Sequence, residues 1–217
     1  MHCPLCNQSR IADFHKDKRR QYLRCESCEL VFVPENEILS PALEKAEYDK
    51  HQNQVDDEGY RGFLNRCLAP LLKHIGSQSS KAIGEIRGLD FGCGPGPALS
   101  HMAAEQGYRV ANYDPFYAHQ PELLKSQYDF ITMTEVIEHI RHPRLVLDLL
   151  DRLLDNAATL AVMTKRRRDP EQFASWHYKN DPTHIRFYHL KSFEFIAQHY
   201  GWQLTIADND VVLFSKP

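Results

Sequence analysis

Long apolar runs are missing from this 217-residue chain, and none approaches the roughly 18 residues that a bilayer-crossing helix needs. That sets aside a helical membrane span. The opening Met1-His2-Cys3-Pro4 carries no apolar leader either, which predicts a cytoplasmic location. Strong charge of one sign is also missing. A formal net charge of −3 gives the molecule no broad attraction to nucleic acid. No internal repeat and no low-complexity tract is present, which sets aside repeat architectures. What remains is an ordinary soluble composition, long enough for one full α/β domain and a small appendage.

Cysteine is scarce but placed in pairs. Cys3-x-x-Cys6 and Cys25-x-x-Cys28 form two knuckles, each bending two thiols toward one point. Two such bends close a tetrahedron, so the pattern predicts a four-cysteine zinc ribbon over residues 1–34. A segment this short cannot bury a sufficient core unaided, so the zinc is expected to be structural. Four thiolates leave no position for a catalytic water. Lys16, Lys18, Arg19 and Arg20 lie between the knuckles. They read either as a grip for RNA or as a solvated hairpin tip. Cys67 falls on an apolar helical pattern and reads as core, and Cys93 belongs to a glycine turn.

Residues 35–80 read as two helices and a joint. Ser40-Pro41 starts a polar helix from Ala42 to about Gln52. A stronger amphipathic helix runs from Gly59 to Ile75, with Phe63, Leu64, Leu68, Leu71, Leu72 and Ile75 on its inner side. Residues 76–80 read as a flexible joint. Tyr48, His51, Asn53, Tyr60 and Arg61 cluster at the break between the helices, either as a lid over a ligand or as exposed polar groups beside a packed tyrosine.

The rest of the chain, residues 81–217, is organised by Leu89-Asp90-Phe91-Gly92-Cys93-Gly94-Pro95-Gly96. A strand enters, a glycine-dense turn follows, and a helix leaves with Leu99, Met102, Ala103 and Gln106 inward and Gly107 as its stop. Gly92, Gly94 and Gly96 permit a sharp turn and close approach of a ligand. Pro97 stands where the third glycine of a dinucleotide fingerprint would be, and Asp90 would repel a pyrophosphate. A ligand with an ammonium group, a sulfonium and a ribose suits the corner better, and S-adenosylmethionine is such a ligand. Residues 108–113 read as the next strand, ending in Asp114-Pro115, where a carboxylate is placed to accept ribose hydroxyls. Phe116 and Tyr117 are candidates to border the adenine.

These residues resemble the first motif of class I S-adenosylmethionine-dependent methyltransferases. The order of CPLC, the second knuckle with its Leu-Val-Phe-Val-Pro tail, Tyr48-Asp49-x-His51 and the glycine motif resembles bacterial methyltransferases with an N-terminal zinc-binding module. That resemblance implies that the helices carrying Tyr48, His51 and Tyr60 cover the cofactor, and that residues 176–184 line the acceptor pocket. It implies methyl transfer and says little about the acceptor.

Residues 128–133 read as a buried strand whose carboxyl end presents Thr134 and Glu135 to cofactor or acceptor. Glu135-Val136-Ile137-Glu138-His139 resembles the fourth-strand motif of ubiquinone-pathway O-methyltransferases, and also the metal-binding E-x-x-E-H of small-RNA 2′-O-methyltransferases. Glu135, Glu138 and His139 share one face if that segment is helical, with His184 as a possible further ligand. The alternatives are hydrogen bonds that hold a loop, or a histidine acting as general base. An amphipathic helix follows on Leu145, Leu149, Leu150 and Leu153, then a strand over residues 159–163. Lys165, Arg166, Arg167 and Arg168 then read either as an anion site or as a solvated loop. In the loop of residues 176–184, Trp176 and Tyr178 are substrate candidates. His139, His177 and His184 are candidate bases. The chain ends with a helix stopped by Gly201 and an antiparallel hairpin.

The expected fold is therefore α/β: a Rossmann-like doubly wound sheet with a terminal antiparallel hairpin, preceded by a small zinc ribbon and two helices. The expected function is S-adenosylmethionine-dependent O- or C-methylation of a small molecule or sugar. One alternative is an RNA methyltransferase gripping through the ribbon, and another is a non-catalytic cofactor-binding scaffold.

Overall fold

The structure, a computed structural model, describes residues 1–50, 54–167 and 170–217. His51, Asn53 and Arg168 lie outside the described residues.

A six-stranded sheet carries the fold, in the order β5 (Arg109–Tyr113), β4 (Arg87–Phe91), β6 (Tyr128–Thr134), β7 (Leu154–Met163), β10 (Val211–Ser215) and β9 (Gln203–Ile206). β4, β5, β6 and β7 are parallel. β9 and β10 form the antiparallel hairpin that ends the sheet. The chain leaves β4 for β5 on one side and returns to β6 on the other. A crevice must open at that switch, outside the carboxyl ends of the strands. Strands buried on both faces read as continuous apolar runs, which is why residues 128–133 were legible.

α2 (Glu58–Gln78) and α3 (Ala98–Glu105) cover one face, through Leu64, Cys67, Leu68, Leu71, Leu72 and Ile75 against Leu99, Met102 and Ala103. Asp57 caps α2 by accepting the Tyr60 amide at 2.6 Å. α1 (Pro41–Tyr48), α4 (Pro143–Leu153) and α6 (Leu190–Tyr200) complete the longer helices, and α5 (Pro170–Phe173) is a single turn. Gly201, with φ of 69°, ends α6 in the left-handed conformation.

Three expectations are corrected. Residues 76–78 continue α2, so no joint begins at Gly76. Gln106 is exposed just past the end of α3, and Tyr108 fills the inner position instead. Leu145 is 66% exposed, while Leu147 joins Leu150 and Leu153 inside. α4 begins at Pro143, and its buried stripe runs through Pro143, Leu147, Leu150 and Leu153, which leaves Leu145 outside.

The cysteine segment is not a pendant. β1 (Ile11–Lys16), β2 (Gln21–Cys25) and β3 (Val31–Phe32) form a second sheet, whose fourth strand is β8 (Arg186–Phe187). Val31 pairs with Phe187 and Phe32 with Arg186. Cys3, Cys6, Cys25 and Cys28 share one buried cluster with Tyr188, Phe193 and Trp202, and the Ser192 hydroxyl donates to the Cys28 carbonyl at 2.8 Å.

Candidate active site

A cavity of about 680 Å³ lies at the crevice. Asp90, Phe91, Gly92, Gly94, Gly96, Asp114 and Pro115 border it, as do Thr134, Glu135, His139, His177, Tyr178 and His184. Tyr48 and Tyr60 reach it from α1 and α2. Trp176 is not among the bordering residues. It packs on Phe173, Phe187 and Tyr178 and so backs the loop.

The glycine corner is held by its own backbone. The amides of Gly92 and Cys93 donate to the Tyr113 carbonyl at 2.7 and 3.3 Å, tying the end of β4 to the end of β5. Gly92 has φ of 82°, and a Cβ there would meet Val136 at 2.5 Å. Gly94 has φ of 65° with open space beside it. Asp114 accepts from the Gly94 amide at 3.1 Å, from Phe116 at 2.8 Å and from Tyr117 at 3.1 Å. The carboxylate thus fixes the turn while bordering the cavity. Asp90 accepts from the Thr132 hydroxyl at 2.7 Å, and burial pushes its carboxyl up to about 6. A cation placed against Asp90 would restore the charged form.

The segment after β6 is not one helix. Glu135 sits at φ of 53°, and a single 3-10 turn, Ile137–His139, follows. The shared helical face expected of Glu135, Glu138 and His139 is therefore not what joins them. Tyr178 links the two carboxylates. Its hydroxyl contacts Glu138, Glu135 (3.1 Å) and Thr164 (3.1 Å). Burial raises Glu135 to about 7 and Glu138, with the Glu135 charge beside it, to about 8. Two adjacent buried carboxylates resist joint ionisation.

The histidines are oriented by carbonyls. His139 Nδ1 lies 3.1 Å from the Thr183 oxygen and His184 Nδ1 lies 2.7 Å from that of Tyr178. A carbonyl can only accept, so each ring donates from Nδ1, and Nε2 faces Glu138 Oε1 at 3.9 Å in His139 and Asp181 Oδ2 at 3.8 Å in His184; the neutral ring would carry its lone pair on Nε2. A row of rings runs Phe116, Tyr48, His139, His184 and Tyr178, with successive centroids 5.9, 5.3, 4.7 and 4.1 Å apart. Glu138, His139 and His184 present ligand atoms within 4.8 Å of one another. Glu138 Oε2 is buried with no hydrogen-bond partner among the described residues.

The basic runs are mostly spoken for. Lys165 lies 3.0 Å from His177. Arg166 donates to the carbonyls of Asn209 and Asp208, and buried Arg167 pairs with Glu29 at 3.1 Å. Sequence reasoning missed the group that holds the loop from behind. Arg20 is buried and donates to the carbonyls of Lys179, Asp181, Pro182 and His184, and Lys179 pairs with Asp17 at 2.8 Å. Nothing in a run of four basic residues says which one turns inward.

At the cysteine cluster, Cys3 and Cys28 sulfurs are 3.6 Å apart and those of Cys6 and Cys25 are 3.4 Å apart. Sulfurs about 2.3 Å from a tetrahedral zinc stand about 3.8 Å from each other, so the four thiols fit that ion.

A family model described as a methyltransferase domain matches residues 48–206. No curated protein matches in sequence. Among solved structures, a SAM-dependent methyltransferase from Archaeoglobus fulgidus is 16% identical with a TM-score of 0.52, covering 74% of this chain and 97% of that one. Magnesium protoporphyrin IX methyltransferase from Synechocystis PCC 6803, solved with bound SAM, is 14% identical with a TM-score of 0.51, covering 82% of this chain and 92% of that one. At these identities the likeness is one of fold.

Proposed function

From the premise that this chain belongs to the methyltransferase-domain family and is an S-adenosylmethionine-dependent enzyme, we propose that it methylates an oxygen or carbon of a small molecule or sugar. The observation that carries this reading is one cavity bordered both by the glycine corner and by His139, Tyr178 and His184. S-adenosylmethionine supplies the electrophilic methyl group. Asp90, Phe91, Gly92, Gly94, Gly96, Asp114, Pro115, Thr134 and Glu135 are proposed to hold it, covered by Tyr48 and Tyr60. The chain's part is to orient an acceptor in line and remove its proton. His139 and His184, whose neutral rings would carry the lone pair on Nε2, are the first candidates for the base, and His177 is the third.

In domain terms, we propose residues 1–34 as a zinc ribbon, 35–80 as a helical cover and 81–217 as the transfer domain. Cys3, Cys6, Cys25 and Cys28 would hold a structural zinc. A small-molecule acceptor is favoured over RNA because Arg20 and Arg167 are buried in intramolecular bonds. The test is a crystal structure with S-adenosylhomocysteine, followed by an acceptor screen on the groups that fit beside its sulfur. Salt-sensitive RNA binding would favour the RNA reading instead.

The unpartnered Glu138 Oε2 favours a second reading, in which Glu138, His139 and His184 hold a divalent cation that acidifies an acceptor hydroxyl. Manganese titrated into zinc-loaded protein should then bind in one equivalent and fail to bind Glu138→Gln. Absence of binding leaves the histidines as bases.

A further inference from the structure

Residues 177–180 form one 3-10 turn, and the stretch to His184 has little regular structure of its own. Its local ties are few: Asp181 accepts from the amide and hydroxyl of Thr183 at 2.8 and 2.5 Å, its carbonyl accepts the His184 amide at 3.3 Å, and the Tyr178 carbonyl takes the His184 ring at 2.7 Å. Yet this stretch brings Tyr178, Asp181 and His184 to the cavity, and its carbonyls hold both imidazoles. A guanidinium has five N–H donors in a rigid fork. Arg20 engages all of them. Nε faces the Tyr22 hydroxyl at 3.4 Å, Nη1 the carbonyls of Pro182 and His184 at 3.0 and 2.9 Å, and Nη2 those of Lys179 and Asp181 at 2.6 and 3.1 Å. An ammonium could serve at most three acceptors, so lysine cannot replace it.

Arg20 reaches the loop from the turn between β1 and β2, and Cys25 closes the same β2 strand. Asp17 in that turn accepts the amides of Arg19 and Arg20 at 2.8 and 3.0 Å and takes the Lys179 ammonium at 2.8 Å. Arg19 adds a bond to the Asn180 carbonyl at 2.8 Å. The hairpin turn and the acceptor loop are thus bonded at five of the six residues 179–184, all but Thr183, and at Lys179 twice over. We propose that Arg20 is a positioning residue for methyl transfer: its guanidinium gathers the loop carbonyls and thereby sets the orientation of Tyr178 and His184 in the cavity. The inference rests on the reading of that cavity as the transfer site.

The test uses the full-length, zinc-loaded protein and three readouts. Long-range proton–nitrogen spectra report which ring nitrogen of His184 carries the proton. Amide exchange reports opening of residues 179–185. Calorimetry with S-adenosylhomocysteine reports the cofactor corner. In Arg20→Gln, loop exchange should rise at least about tenfold, and the Nδ1–H form of His184 should give way to a mixture. His74, bonded to Ser215 at 3.0 Å, should keep its spectrum, and S-adenosylhomocysteine affinity should stay within about twofold. Arg20→Lys should fall between. Should Arg20→Gln fail to fold, Asp17→Asn releases Lys179 and the turn amides and should raise loop exchange by a smaller factor. Parent-like exchange and an unchanged His184 tautomer in these variants would overturn the proposal. So would loss of ligand affinity in step with loop opening, because Arg20 would then support the whole fold. Failure of the parent itself to bind S-adenosylhomocysteine would count against the methyltransferase reading, separately from Arg20.

Discussion

Asp114 and His184 border the same cavity, but the segments that hold them are built in opposite ways. The glycine corner is local. Residues 90–96 and 113–117 bond to each other through backbone amides, the Tyr113 carbonyl and one carboxylate. The loop of residues 176–184 is assembled from a distance. Its carbonyls are held by Arg20, its lysine by Asp17 and its tyrosine by Glu135 and Glu138. A locally encoded site survives damage elsewhere in the fold, and a remotely assembled one transmits it.

The largest effect that would sharpen this contrast is loss of the zinc proposed at Cys3, Cys6, Cys25 and Cys28. Structural zinc contributes on the order of 10 kcal/mol to the folding of small modules. Cys25→Ser should release the metal, lower the melting temperature by at least about 10 °C and unprotect residues 179–185 before residues 90–96 in amide exchange. Simultaneous loss of protection in both segments would break the contrast.

Next in size is the charge at the corner. Asp90→Asn should weaken S-adenosylmethionine binding by roughly 10- to 100-fold, the loss of one charge-assisted interaction. In the parent, binding should tighten as pH rises through about 6, where the buried Asp90 carboxyl ionises, and the variant should lack that dependence. A flat pH profile in the parent would remove Asp90 from the ligand's shell.

The Glu138 side of the cavity carries the opposite pH signature, and it is one of stability. Glu138 is raised from an ordinary carboxylate value to about 8. Its contribution is therefore fully present at low pH and is lost as pH rises through about 8. Without added divalent metal, the melting temperature should fall by several degrees, roughly 3–10 °C, between pH 6 and 9, and Glu138→Gln should flatten that fall. A parent curve as flat as that of the variant would show the carboxylate to be stably charged.

The smallest effect is at Gly94. Alanine there meets no neighbour but must adopt positive φ, which costs about 1–2 kcal/mol. Gly94→Ala should lower stability by that amount and leave loop exchange at residues 179–185 unchanged.

What was legible in the chain follows the same division. The strands, the glycine turn, α6 with Gly201 and the terminal hairpin are written in local periods and turn residues. The cysteine knuckles are written in spacing. The burial of Arg20 was not legible, because its partners are backbone carbonyls some 160 residues away, which leave no trace in residue type. Helical spacing suggested that Glu135 would align with Glu138, but the left-handed Glu135 breaks that register, and Tyr178 supplies the link instead. Leu145 was misplaced because leucine spacing alone does not say where Pro143 starts the helix.

We propose that buried carboxylates around the glycine-lined turn select a cationic adenosine ligand over a phosphorylated one. Calorimetry on the zinc-loaded full-length protein tests it most directly. Saturable binding of S-adenosylmethionine and S-adenosylhomocysteine with no heat from NAD is the predicted result, and tight NAD binding with none for S-adenosylhomocysteine would contradict it.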